Sequence, residues 1–202
     1  MPTNRMLKLT CCSKKKKPGG VTLPALGSGS GMVWQTPVTT QLDACRKHVA
    51  TILYPTDGDS ALKPITLGPD VGVLLGPDTN GTLYMPAAER YIGSFYTRQH
   101  LMTLMADDDL LIVSGLYGLL RPVELIQDYD LHLRKSYWFW QSKLSSFIIA
   151  YMKGAGYDSV IPLVPEGIYL DVLDLTAVEH AGFHVVKGDD WLQYYGILNQ
   201  FI

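Results

Sequence analysis

Two acidic side chains, Asp128 and Asp130, stand on either side of a tyrosine in the middle of the chain. Paired carboxylates can divide acid–base work, because one can activate a water while the other stabilises developing positive charge. Cleavage of the bond between a sugar and a base needs both roles. Asp130 is our first candidate for a catalytic carboxylate and Asp128 the second. Aspartates at this spacing also cap ordinary turns, and the residues alone leave both interpretations open.

Small and aromatic residues precede this acidic pair and follow an apolar run. Residues 110–113 are apolar and β-forming, which predicts a short buried strand. The positions just past a strand end are where α/β proteins commonly build sites. A ring and closely approaching glycine backbones suit a pocket for a base taken out of its stack. The candidate pocket residues are Ser114, Gly115, Tyr117, Gly118 and Trp138. The plainer alternative is a tight connection from strand to loop.

A run of four lysines follows the first predicted strand, residues 6–12. Ammonium groups and backbone N–H groups in such a loop can contact phosphate oxygens. A predicted helix over 94–105 has an N-terminus that is a potential anion site. The candidates for phosphate contact are Ser13, Lys14, Lys15, Lys16, Lys17, Ser94, Arg98 and Arg121. The alternatives are a solvated lysine loop and a capped amphipathic helix.

We expect neither a metal ion nor a cofactor. Cys11 and Cys12 have no second cysteine or histidine at ligand spacing. The three aspartates over 107–109 are adjacent in sequence, and adjacent side chains rarely all face one ion. Three cysteines are too few for a disulfide framework, which suits a reducing, cytoplasmic environment.

The composition is that of an ordinary globular protein. The chain has 202 residues, of which 47% are hydrophobic and 18% charged, so we expect one domain over 1–202. The stretch 18–83 is rich in turn-forming residues and is expected to be a loop-rich insertion within that domain. A net charge of −2 gives no global attraction to nucleic acid, so such contacts must come from local basic clusters. No apolar run approaches the roughly 20 residues that span a bilayer.

Predicted strands alternate with predicted helices along the chain. This alternation indicates an α/β fold with a mostly parallel central sheet and flanking helices. The carboxyl ends of parallel strands meet at one edge, which would bring the candidate residues together. The predicted strands are 6–12, 110–113, 157–163 and 184–186. The predicted helices are 40–53, 94–105, 137–153, 168–181 and 191–199.

The central segment from Ser114 to Leu131, with the sequence SGLYGLLRPVELIQDYDL, resembles the central motif of the YaaA family of peroxide-stress proteins. The first strand with its following Ser/Cys-x-x-Lys loop and the aromatic run over 137–140 resemble further family segments in the same order. The matching segments are Arg5 to Lys14, Tyr91 to Leu144 and Asp158 to Leu175, a little under half the chain. The shorter relatives with a Cys-Ser-x-x-Lys start are the most similar.

The resemblance implies contact with DNA, and it includes a distant likeness to enzymes that handle modified nucleobases. Combined with the candidate residues, it leads us to expect a DNA glycosylase that acts on a modified base. The DNA would be double-stranded with a flipped base, or single-stranded. An antiviral role against modified phage DNA is consistent with this expectation. The base, the choice of DNA over RNA and the oligomeric state stay open.

Two other functions are compatible with the same residues. One is a non-enzymatic DNA-binding or peroxide-stress protein, as the family resemblance implies. Against it, the family's basic C-terminal region is replaced here by Gly188-Asp189-Asp190-Trp191 and an apolar tail. The other is an interaction protein in which the central motif only shapes a turn.

Overall fold

A computed structural model describes residues 5–20, 41–46, 48–49, 83–93, 96, 109–129, 131–164 and 167–187. Its strands are β1 (Met6–Cys11), β2 (Tyr84–Pro86), β3 (Leu110–Ser114), β4 (Gly118–Leu120), β5 (Leu125–Gln127), β6 (Ser159–Leu163) and β7 (His184–Val185). Its helices are α1 (Ala87–Arg90), α2 (Leu133–Trp140), α3 (Leu144–Ala155), α4 (Ile168–Leu173) and α5 (Leu175–His180). Residues 41–46 and 48–49 are also helical.

The core of the molecule is a five-stranded sheet in the order β4-β3-β1-β6-β7. β1 pairs in parallel with both β3 and β6, and β6 pairs in parallel with β7. All five side chains of β3 are buried, as expected for a strand covered on both faces. Helices flank this sheet, so the predicted α/β fold with a mostly parallel sheet is confirmed, as are its four predicted strands.

β4 was not predicted as a strand. The glycines around it indicated a loop, whereas residues 118–120 turn back and pair antiparallel with β3. Gly118 takes φ +68° at the start of β4, which is the left-handed conformation that a tight hairpin needs. β2 and β5 form a separate two-stranded antiparallel sheet that was not predicted either. Strands of three residues carry too little alternation to be recognised.

Two helix predictions were wrong in their bounds. The predicted helix 137–153 is in fact two helices, α2 and α3, separated by a turn at residues 141–143. The predicted helix 168–181 is broken between α4 and α5 at Asp174, which has φ 41° and whose carboxylate accepts from the Ala177 N–H at 3.4 Å. Apolar spacing runs through both breaks, so periodicity alone could not find them.

Several predictions fall outside the described residues. They include the helices 94–105 and 191–199, apart from the helical residue Tyr96, and most of the insertion 18–83. The single-domain boundary and the insertion therefore stay predictions.

Candidate functional site

The carboxyl ends of β1 and β3 lie side by side. Cys11 pairs with Val113, and the backbone N–H of Cys12 donates to the Val113 carbonyl at 2.8 Å. The loop after β1 therefore starts directly beside Ser114, the last residue of β3. Two segments separated by about a hundred residues of sequence are brought to one edge of the sheet, as parallel pairing requires.

Three buried hydroxyl groups form a continuous hydrogen-bonded chain at this edge. The Tyr129 hydroxyl lies 2.7 Å from Ser114 Oγ and 2.6 Å from the Tyr91 hydroxyl. The backbone N–H of Tyr117 donates to Ser114 Oγ at 3.1 Å. Burial raises the pKa values of Tyr91 and Tyr129 well above the ordinary range, so both phenols stay protonated. We call Ser114, Tyr129 and Tyr91 the hydroxyl chain.

The lysine loop, residues 13–17, is held against the segment that carries Tyr91. Lys16 forms an isolated antiparallel bridge with Tyr91. The Lys17 N–H donates to the Arg90 carbonyl at 2.7 Å, and the Ile92 N–H donates to the Lys15 carbonyl at 3.1 Å. These backbone bonds give the lysine loop a defined path across the edge of the sheet.

One lysine of this loop turns toward the hydroxyl chain. The Lys16 ammonium lies 4.2 Å from the centre of the Tyr129 ring and 5.8 Å from that of Tyr91. A cation over a ring face is attracted by the negative charge of the π system. Lys14, Lys15 and Lys17 are exposed. The loop thus presents three ammonium groups to solvent and one to the aromatic cluster.

A buried arginine links this region to Asp128. The Arg90 guanidinium is fully buried and donates to the carbonyls of Lys17 at 2.6 Å and Leu83 at 2.9 Å. Burial lowers the pKa of Arg90, and the nearby charge of Asp128 opposes that shift. Asp128 is half-buried. One candidate carboxylate therefore lies within the field of a buried cation, next to Tyr129.

A second buried arginine fixes the turn that contains Tyr117. Arg46 Nε donates to the Tyr117 carbonyl at 2.9 Å, and Arg46 Nη2 donates to the Leu119 carbonyl at 2.5 Å. Its charge is balanced by Glu124, whose carboxylate is 3.0 Å away and also accepts from the Arg121 N–H at 2.9 Å. Arg46 thus ties the helical stretch 41–46 to the turn before β4 and to β4 itself.

The two candidate glycines are positions of close backbone approach. A Cβ atom on Gly115 would lie 2.6 Å from the Leu131 carbonyl oxygen, and one on Gly118 would lie 2.6 Å from the Trp140 ring. The Gly115 carbonyl accepts from Ser136 Oγ at 2.6 Å and from Trp140 Nε1 at 2.8 Å. Both glycines allow α2 to pack directly onto the end of β3.

The other candidates are placed as follows. Tyr117 is fully buried, with its ring edge-on to Tyr129 at 5.3 Å, and Arg121 is half-buried. Ser13 Oγ accepts from the Lys15 N–H at 3.2 Å. Trp138 is 59% exposed on α2. Asp130, Ser94 and Arg98 lie outside the described residues.

Two residues important to this site were not singled out from the sequence. Tyr91 and Arg46 carry no motif of their own. Tyr91 bonds Tyr129, 38 residues away, and Arg46 bonds the Tyr117 carbonyl, 71 residues away. The Tyr169 hydroxyl also reaches this edge and lies 3.5 Å from Cys12 Sγ. Sequence spacing contains no signal for contacts of this kind.

Two kinds of feature are absent from the part of the chain that the structure describes. No three histidine, cysteine, aspartate or glutamate side chains there come together in a way that could hold a metal ion. No described helix has the length and apolar character needed to cross a membrane.

Comparisons with known proteins point to one family. The family model described as peroxide stress protein YaaA matches residues 76–181. A UPF0246 protein of Rhizorhabdus wittichii is 33% identical over 99 residues, which are 42% of this chain and 39% of that protein. A UPF0246 protein of Saccharophagus degradans is 34% identical over 76 residues, 33% of this chain and 30% of that protein. A UPF0246 protein of Bordetella avium is 29% identical over 99 residues, which are 43% of this chain and 38% of that protein. The matches therefore span well under half the length of these relatives.

Proposed function

This chain belongs to the family of the peroxide stress protein YaaA, and from that premise we propose that it is a DNA-acting enzyme of the glycosylase type. Its reaction is hydrolysis of the N-glycosidic bond of a modified base. The modified DNA of bacteriophages is one source of such a base, which would make the role antiviral.

The observation that carries this proposal is the meeting of the lysine loop with the hydroxyl chain. The exposed ammonium groups can contact the phosphates of a DNA strand. The Lys16 ammonium lies 4.2 Å from the centre of the buried Tyr129 ring. Tyr129 lies between Asp128 and Asp130 in sequence. Ammonium groups beside protonated hydroxyls, with the two candidate carboxylates next to Tyr129 in sequence, are the chemical groups that base removal needs.

The chemistry assigned to the two aspartates is hydrolysis through a sugar with oxocarbenium character. The bond between C1′ and the base nitrogen breaks, and a water oxygen forms a bond to C1′. Asp130 accepts the proton of that water and stabilises the positive sugar. The departing base takes up a proton from bulk water, and Asp130 returns its own proton to bulk water, so the carboxylate is restored. Asp128, close to Arg90, supports the charge balance of the pair.

The direct test is an assay for abasic sites. Duplexes with and without modified cytosines are incubated with the protein and then cleaved with alkali. We expect the wild type to release the modified base from a modified duplex. The rate of base release should fall about 100-fold or more in Asp130→Asn and by less in Asp128→Asn. Asp171→Asn, which changes an exposed carboxylate on α4, is the matched control and should act as the wild type. Absence of base release from every DNA would remove the proposal.

A second function is favoured by the family description itself, which names a peroxide stress protein and no reaction. In that case the protein binds DNA without altering it. The logarithm of the binding constant would fall linearly with the logarithm of salt concentration. Lys14→Gln and Lys15→Gln would each reduce the magnitude of this slope by about one unit. Such binding, together with intact bases after long incubation, would select this function over the glycosylase.

A further inference from the structure

A strip of exposed side chains runs along α2 and the turn that follows it. The inward side chains of α2 are buried, among them Leu133 and Trp140. The exposed positions i, i+1 and i+4 lie on one side of α2, and positions i+7 and i+8 follow in the turn at residues 141–143. These exposed residues, which we call the α2 face, are Arg134, Lys135, Trp138, Gln141 and Ser142.

The α2 face lies in a segment with a strong excess of positive charge. Residues 131–157 contain two lysines besides Arg134 and Lys135, and no aspartate or glutamate. The whole chain, by contrast, has a net charge of −2. Of the five residues of the face, Arg134 and Lys135 are cationic and none is acidic, which favours an anionic partner.

A stack of rings and a further cation adjoin Trp138. The Lys143 ammonium lies 4.3 Å from the centre of the Phe139 ring, and the His48 ring stacks on Phe139 at 5.0 Å and 16°. Trp138 meets Phe139 edge-on at 6.0 Å. These contacts use Phe139 for internal packing, whereas Trp138 keeps 59% of its surface in water. An indole exposed to this degree among cations is suited to stacking against a planar ligand.

We propose that the α2 face binds single-stranded DNA, with Trp138 stacking on one base while Arg134 and Lys135 contact the phosphates beside it. The inference rests on the proposed function for the identity of the nucleic acid. An aromatic ring with neighbouring cations is the usual arrangement for single strands, whose bases are open to stacking. In a duplex the base faces are already covered, so an exposed indole gains little there.

The position of α2 connects this surface with the candidate site. Ser136 and Trp140 both bond the Gly115 carbonyl, at 2.6 Å and 2.8 Å, directly beside Ser114 of the hydroxyl chain. α2 begins at Leu133, five residues after Asp128. A strand held on the α2 face is therefore bound to an element that is rigidly attached to the end of β3.

The test compares binding of a labelled oligothymidylate and of a duplex of equal length by fluorescence anisotropy. Trp138→Ala should weaken oligothymidylate binding about 5- to 150-fold and leave duplex binding unchanged. Trp138→Phe keeps a π face and should retain most of the affinity, whereas Trp138→Leu should behave as Trp138→Ala does. Val123→Ala is the matched control, because Val123 is 61% exposed but lies outside the α2 face. It should bind as the wild type does.

Three results would overturn the inference. They are unchanged oligothymidylate binding by a folded Trp138→Ala variant, an equal loss of duplex binding in that variant, and no binding of the oligothymidylate by the wild type. Base release is measured in parallel. Single-strand binding that depends on Trp138 without base release leaves this inference standing and removes the glycosylase. Base release together with any of the three results removes this inference and leaves the glycosylase standing.

Discussion

Tyr129 contacts three separate parts of the candidate site. Its hydroxyl bonds Ser114 and Tyr91, and its ring lies under the Lys16 ammonium. It is 2% exposed and stands next to Asp128 in sequence. A single side chain thus anchors the acidic segment to the end of β3 and to the lysine loop.

We expect Tyr129→Phe to lower the free energy of unfolding by about 1–3 kcal/mol, because it removes the bonds of the Tyr129 hydroxyl to the buried hydroxyls of Ser114 and Tyr91, of which Ser114 keeps the bond from the Tyr117 N–H. The phenyl ring keeps its contact with Lys16, so the effect reports on the hydroxyl alone. Urea denaturation measures it. Tyr137→Phe is the control, since the half-buried Tyr137 on α2 is not part of the hydroxyl chain. Equal stability of the two variants would show that the hydroxyl chain contributes nothing.

Asp43 makes the stability of the protein depend on pH. Burial raises the pKa of Asp43 from 3.8 to about 6, although Arg46 lies 3.3 Å away and acts in the opposite direction. The folded state therefore holds this proton more tightly than the unfolded chain does. The contribution of Asp43 to stability is greatest below about pH 4 and is lost as the pH rises toward 6, by up to about 3 kcal/mol.

Asp43→Asn should remove this component. The difference between the unfolding free energies of the wild type and the variant should change between pH 4 and 6 and stay constant above that range. Urea unfolding at a series of pH values measures it. Asp171→Asn, at an exposed carboxylate, serves as the control. A difference that does not vary with pH would mean that Asp43 titrates normally in the folded protein.

At the scale of elements, the contact between β4 and α2 is decided by a glycine. Gly118 has φ +68°, and a Cβ atom there would lie 2.6 Å and 2.7 Å from two ring carbons of Trp140. Trp140 is fully buried and its indole N–H is bonded to Gly115, so the ring has no room to withdraw. The hairpin and the helix can approach this closely only without a side chain at 118.

We expect Gly118→Ala to cost about 2–5 kcal/mol, because backbone strain and overpacking add. Gly156→Ala separates the two terms. Gly156 ends α3 with a similar φ of 73°, yet a Cβ atom there would meet nothing within 4 Å. That variant should lose only about 1–2 kcal/mol. Thermal and urea unfolding measure both, and equal losses would contradict the packing argument.

At the scale of the whole molecule, the central position of β1 organises the site. β1 pairs with β3 on one side and with β6 on the other, so its carboxyl end is surrounded by the ends of two neighbours. Cys12 follows directly and lies 3.5 Å from the Tyr169 hydroxyl of α4, while the lysine loop crosses to Tyr91. Parallel pairing brings the carboxyl ends of these strands together, and the segments that follow them make the remaining contacts.

Local sequence pattern determined the alternation of strands and helices and the meeting of the segments after β1 and β3. The apolar run of β3 and the lysines after β1 needed no tertiary information, because burial and charge are visible in residue type. The central motif, Ser114 to Leu131, likewise identified the family from its own residues.

Tertiary structure alone decided which groups touch. The pairing of Tyr91 with Tyr129 and the bonds of Arg46 to the Tyr117 turn join residues far apart in the chain. The close packing at Gly118 depends on Trp140, which lies on another element. Contacts of this kind depend on the order of strands and the packing of side chains, neither of which leaves a period or a spacing in the sequence.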